Sequence, residues 1–194
     1  KGQVWSEIDF LIVTKRAIIG IEVKGGPVRC LDGVWYVYSD KNLNKLSYQK
    51  YKSPLVQVSD ALHRLRNDWF DNNKLYKNIP FVKVAILCSN NRFKPDFPEM
   101  QKEYCLYKED VSTGEILKQK LNNAIDYFIK NDFPRPSNTL SDDQIDSTCK
   151  LLRPNCDLSY YDINSVVSSL NIEQKSMTAE QYKIIDMLSG VDRL

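Results

Sequence analysis

Residues 7–13, Glu-Ile-Asp-Phe-Leu-Ile-Val, and residues 17–23, Ala-Ile-Ile-Gly-Ile-Glu-Val, with Lys24 next, are two apolar, β-branched runs that nevertheless carry charge. Both read as β-strands, and the short charged link around Lys15-Arg16 joins them as a hairpin. Side chains alternate in direction along a strand. Glu7, Asp9, Leu11 and Val13 therefore share one face of the first strand, and Ile18, Gly20, Glu22 and Lys24 one face of the second. A two- or four-residue turn centred on Lys15-Arg16 sets Asp9 opposite Glu22 and Glu7 opposite Lys24, whereas a link of odd length breaks that register. Directly opposed Cβ atoms lie about 4.5–5.5 Å apart, where like charges destabilise a sheet unless something compensates them.

A divalent cation is the natural compensation. Two carboxylates, a backbone carbonyl (that of Val23) and waters make an oxygen donor set suited to Mg²⁺ or Mn²⁺. Such an ion polarises a phosphoryl oxygen and lowers the pKa of a bound water. Lys24 points to the same place, where an ammonium can orient that water or neutralise charge developing on a phosphate. Gly25-Gly26 then removes side-chain bulk where a large substrate backbone approaches. The same four charges also fit a plain reading, a surface ion-pair ladder on a half-exposed sheet of an α/β interaction domain. A Glu-x-Lys spacing is weak alone, since it recurs at Glu173-Gln174-Lys175.

Working outward, residues 33–39 are aromatic and β-branched, enter from Asp32-Gly33, and read as a third strand completing an antiparallel unit with the hairpin. Residues 41–53 are polar and aperiodic and read as a loop. Its Lys41, Lys45, Lys50 and Lys52, interleaved with Tyr48 and Tyr51, could track a nucleic-acid backbone or simply be solvated. From Ser53-Pro54 onward, Leu55, Val58, Leu62, Leu65 and Trp69 mark the buried stripe of a helix that ends near Asn72-Asn73, with Ser53 as its cap. Residues 81–89 form an apolar strand of the kind found at a sheet centre, and residues 103–107 a shorter one. A helix over 113–130 follows, with Leu117, Leu121, Ile125 and Phe128 inward. The order makes a mixed α/β domain. Pro134 and Pro136 punctuate the chain, and residues 141–152, 162–170 and 178–188 read as short helices.

These blocks resemble the Nuclease-Related Domain (NERD), a branch of the PD-(D/E)xK nuclease superfamily. The resemblance rests on residues 7–13, residues 18–25, Gly33-Val34-Trp35, and Pro54-Leu55-Val56-Gln57 with Leu62 following, and covers residues 4–90. It implies an α/β, restriction-endonuclease-like mixed sheet flanked by helices, here with a C-terminal helical appendage. It also implies Asp9 and Glu22 as ligands of Mg²⁺ or Mn²⁺, Lys24 as the catalytic lysine, Gln57 as a helix-borne polar residue of the site, and DNA as substrate. A Gln on the first turn of an amphipathic helix is otherwise a solvated residue. Related domains also place a Glu on a helix ahead of the first strand, and the chain, which opens on Lys1-Gly2-Gln3 with no initiator Met, is expected to continue upstream.

Residues 176–182, Ser-Met-Thr-Ala-Glu-Gln-Tyr, with Ile184, Ile185 and Leu188, are similar to the opening of UvrD/Rep-type superfamily 1 helicases, where a Gln recognises adenine. Gln181 is the matching position, although Thr-x-Glu-Gln is equally an ordinary capped helix start. No GxxxxGK[ST] loop occurs, so ATP enters only if a helicase domain follows, in cis, or a helicase partner acts in trans. The expected organisation is a nuclease-like domain over 1–133, a linker and helical connection over 134–176, and the start of a possible helicase domain over 177–194. A catalytically silent nuclease fold that binds DNA or docks a helicase is the rival to the nuclease reading.

Composition narrows the field. With 27 Lys and Arg against 25 Asp and Glu, the formal charge is +2, so any basic surface must be local. Five cysteines without a CxxC pair and a single histidine, His63, support neither a disulfide framework nor a Cys/His zinc site, and leave little for Ser-His or Cys-His catalysis. Cys88 reads as a small buried thiol and His63 as a polar-face helix residue. No apolar run reaches the roughly 20 residues of a membrane span, and a cytoplasmic location is expected.

Overall fold

The computed structural model describes residues 7–39, 47–70, 73–90, 100–133, 136–153, 183–185 and 187. Strands β1 (Phe10–Val13) and β2 (Ile18–Lys24) form the expected antiparallel hairpin, in the expected register with Phe10 opposite Ile21 and Val13 opposite Ile18. Thr14 closes its turn, the hydroxyl donating to the Ala17 carbonyl and accepting from the Arg16 and Ala17 amides. On its other edge β2 pairs in parallel with β6 (Phe81–Leu87), which pairs in parallel with β7 (Cys105–Tyr107). The result is a four-stranded mixed sheet in the order β1-β2-β6-β7, flanked by helices. β6 lies inside it, as its apolar run predicts; Cys88 falls just past its end and is half-buried rather than enclosed.

The third strand does not join the hairpin. β4 (Val34–Ser39) pairs instead with β3 (Val28–Leu31) and β5 (Ser47–Tyr51) in a separate three-stranded antiparallel sheet. Asp32 and Gly33, both at positive φ (50° and 75°), make the tight two-residue link that folds β3 back on β4. β5 also corrects the expectation of a loop over 41–53. Its sequence is polar and without period, yet its backbone pairs along β4, with Ser47 opposite Ser39 and Tyr51 opposite Trp35. Residues 40–46, with Lys41 and Lys45, lie outside the described residues.

Helix α1 (Pro54–Leu65) crosses β2 and β6, burying Leu55, Val58, Ala61 and Leu62. Gly20 permits the approach: a Cβ there would stand 2.8 Å from Leu62 Cγ. Ser53 occupies the cap position, but its hydroxyl makes no cap hydrogen bond and faces the Met100 sulfur. The helix continues as a π-helical turn, Arg66–Phe70. The extra residue in that turn shifts the stripe by one position, so Phe70 is buried and Trp69, expected inside, is 58% exposed. Phe70 packs edge-on to Tyr76, at 4.5 Å between centroids.

Helix α2 (Gly114–Asn131), capped by Thr113, packs against β6 through Leu117, Leu121, Ala124 and Ile125. Helix α3 (Asp142–Leu152) starts at Ser141 with a reciprocal capping box to Gln144. The stretch leading into α3 lies on the sheet domain: Leu140 is in the core, its N–H bonds the Lys15 carbonyl, and Thr148 meets the Tyr76 hydroxyl at 2.8 Å. Residues 183–185 are helical, with Ile184 buried; the rest of the expected helices over 162–170 and 178–188, and Gln181 with them, lie outside the described residues, apart from Met187.

Candidate active site

Alternation along β2 turns Ile18, Gly20, Glu22 and Lys24 toward one face, and the Gly20–Leu62 contact identifies it as the face that α1 covers. Chain directions then matter. Gly20 lies under Leu62 while Lys24 reaches Gln57, so α1 runs antiparallel to β2 and delivers its first turn to the strand's C-terminal end.

There the Lys24 ammonium donates to Glu22 Oε1 at 2.5 Å and to Gln57 Oε1 at 3.2 Å, and stands 4.9 Å from the centre of the Tyr51 ring. These three contacts match the three N–H donors of an ammonium. Gln57 is itself tethered, its Nε2 donating to the Lys52 carbonyl at 2.7 Å. The side-chain amide thus bridges the end of β5 and the catalytic candidate on β2. Lys52, through its carbonyl, and Tyr51, through its ring, contact Gln57 and Lys24. The Lys52 ammonium is ion-paired to Asp60.

Asp9 lies one residue beyond the last rung of the β1–β2 ladder. It completes that rung with its side chain: Asp9 Oδ2 accepts the Val23 amide at 2.7 Å. In an extended strand the N–H and C=O of one residue point to the same edge. The Val23 carbonyl therefore faces the edge where Asp9 sits, while the Lys24 carbonyl faces β6 and accepts from the Cys88 amide. Glu7 is exposed, and with Asp9 it is close enough to act on the charge of Glu22.

Burial is the first reason that the Glu22 carboxyl is held above its ordinary range; Lys24 pulls it back, while Asp9 and Glu7 push it further up. The site thus carries more negative charge than one lysine offsets. An oxygen-seeking cation is what such a donor set accommodates, and two carboxylates with the Val23 carbonyl leave the remaining positions to water, as Mg²⁺ commonly requires. The residues fit that group, although among the described residues no cluster of three His, Cys, Asp or Glu side chains is arranged to hold a metal ion.

Asn90 is a contributor that sequence reading missed. Its side chain pairs with both backbone groups of Val28, at 3.0 Å each, in the manner of a strand neighbour, and the Ser89 hydroxyl donates to the Gly25 carbonyl. Together they fix the segment that follows Lys24. Only the composition of the turn after β6, Ser89-Asn90-Asn91, hinted at such a role.

Residues 2–88 match the nuclease-related domain, NERD. The matched stretch runs to the residue after β6 and contains Asp9, Glu22, Lys24 and Gln57, in support of the resemblance read from sequence. β7, α2 and α3 lie beyond the NERD match. No curated protein and no solved structure matches the chain. None of the described helices is long and apolar enough to cross a membrane, and the four described cysteines are free thiols.

Proposed function

We propose that this site hydrolyses DNA phosphodiester bonds with the help of a divalent cation, as part of a nuclease that works with a helicase domain in cis or in trans. The observation that carries the reading is the buried Glu22–Lys24 pair, anchored from α1 by Gln57 and bordered by Asp9. A sheet gains little from enclosing an ion pair, because desolvation offsets most of the attraction, so its presence at a strand end favours a chemical role.

Asp9, Glu22 and the Val23 carbonyl would hold Mg²⁺ or Mn²⁺. When bound, the ion supplies Lewis-acid polarisation and a water of lowered pKa. The chain's own residues do the rest. Lys24, fixed by Glu22, Gln57 and Tyr51, presents its positive charge to a phosphate oxygen, where it opposes the charge that grows as the bond breaks. Glu22 and Asp9 keep anionic groups from settling unless a cation accompanies them. Gln57 holds the ammonium at a set height above β2.

Substituting Asp9 or Lys24 by Ala should lower Mn²⁺-dependent cleavage of DNA by about 10²-fold or more, with cooperative melting retained. Undiminished cleavage by both variants would sink the assignment. One observation favours a second reading, a silent nuclease fold that binds DNA or docks a helicase: the Lys24 ammonium already sits on a Glu22 oxygen that a metal would use. That reading predicts DNA binding in gel shifts with no strand scission at any Mn²⁺ concentration.

A further inference from the structure

Beside α1, on the sheet face it covers, a cleft of about 620 Å³ opens between the second half of α1 and the C-terminal end of α2. It is of the size that small-molecule sites occupy, roughly 300–1,000 Å³. Three rings, Phe81, Phe128 and Phe133, line it together with the cations Arg66 and Lys83. Phe128 and Phe133 lie 6.0 Å apart and tilted by 33°.

The cations are positioned by ring faces. Arg66 stands 5.2 Å over Phe81 and Lys83 5.5 Å over Tyr104, and Arg66 also donates to the Lys77 carbonyl at 3.1 Å. Among the described residues no carboxylate lies within ion-pair distance of the Lys83 ammonium. The acid on the rim, Asp132, accepts from the Tyr104 hydroxyl through Oδ2 at 2.6 Å. A simple anion would leave the rings without a partner, and a purely apolar ligand would cover the Lys83 ammonium without meeting its charge. A ligand with a planar apolar part and an anionic part meets both demands.

We propose that this cleft binds a nucleoside phosphate, the phosphate at Lys83 and Arg66, the base against Phe128 and Phe133, and a base amino group donating to Asp132. Stacking on aromatic rings tolerates any base, since each has a π-face. The phosphate could belong to a free nucleotide or to a DNA strand passing Glu22. Lys83 pairs with Gly20, two residues before Glu22 on the neighbouring strand, and Leu62 over Gly20 forms part of the cleft wall.

Calorimetric titration of the full chain with dAMP, deoxyadenosine and inorganic phosphate, in EDTA, tests this without any cleavage. dAMP is expected to bind saturably and at least tenfold more tightly than either half. Lys83→Gln and Phe133→Ala should each weaken it tenfold or more. Lys24→Ala, which the nuclease reading requires to stop cleavage, should leave it as in the wild type, so the two ideas fail separately. If Lys83→Gln does not melt cooperatively, Arg66→Gln takes its place. Competition by a single-stranded oligonucleotide, sensitive to the same variants, identifies a strand nucleotide as the ligand; dAMP binding without competition identifies a free nucleotide. No saturable dAMP binding, or folded variants that bind dAMP like the wild type, would overturn the proposal.

Discussion

Lys24 Nζ lies 2.5 Å from Glu22 Oε1 on two side chains that are 12% and 8% exposed. The pair is two residues apart on one strand, a spacing that alternation permits and that α1 encloses. On the proposed function, its consequences extend from proton binding to catalysis.

The first concerns pH. Glu22 is held above its ordinary value of 4.5, chiefly by burial. A group whose folded pKa is raised contributes stability that is present below the unfolded value and is lost as pH rises through the folded one. Glu22→Gln removes that dependence. In EDTA, the stability of this variant relative to the wild type should therefore shift in its favour between pH 4.5 and pH 7. Urea denaturation at both values measures it, and an unchanged difference would contradict the burial argument.

Metal binding should register in the melt before it registers in turnover. At 100 times the Kd, an ion that binds only the folded chain adds about 2.7 kcal/mol, or roughly 5–10 °C for a protein of this size. Asp9→Asn keeps an acceptor for the Val23 amide but loses the charge. The Mn²⁺-dependent rise should therefore shrink to a small fraction while the melt in EDTA barely moves, which differential scanning fluorimetry resolves.

On the proposed function, Gln57 and Tyr51 act through Lys24 as positioning residues. Gln57→Ala and Tyr51→Leu each remove one of the three contacts on the ammonium, contacts of the order of 0.5–2 kcal/mol. Cleavage should fall about 2- to 30-fold in kcat with KM for DNA little changed. A fall confined to KM would instead place the two residues on the substrate.

The closeness of α1 to β2 depends on Gly20. Gly20→Ala drives a methyl into Leu62 and should cost about 1–3 kcal/mol in urea unfolding. Leu62→Ala alone should cost about 2–5 kcal/mol, and the double variant less than the two together, because the smaller side chain admits the new methyl. Additive losses would show that the two residues do not share that space.

Much of this architecture was legible in the chain itself. The β1–β2 hairpin, its register, the central place of β6 and the stripes of α1 and α2 follow from periods of two and 3.6 residues and from a short turn, all local properties. So does the assembly of Asp9, Glu22 and Lys24 at one strand end. The sequence was silent on β3 and misjudged β5, a polar strand whose hydrogen-bond partners lie on β4, a separate segment of the chain. It also placed Trp69 inside, because a π-helical turn breaks the phase on which the stripe was counted.

How the site is held depends on contacts between distant segments. Local pattern can bring acids and a lysine to one face of a hairpin, because strand geometry is periodic. The Asp9 side chain capping the Val23 amide, Gln57 joining Lys52 to Lys24, and Tyr51 roofing the ammonium connect segments far apart in the chain. Contacts of that kind depend on how close α1 approaches at Gly20 and on which sheet β5 joins, and neither distance nor pairing is written in any single stretch of residues.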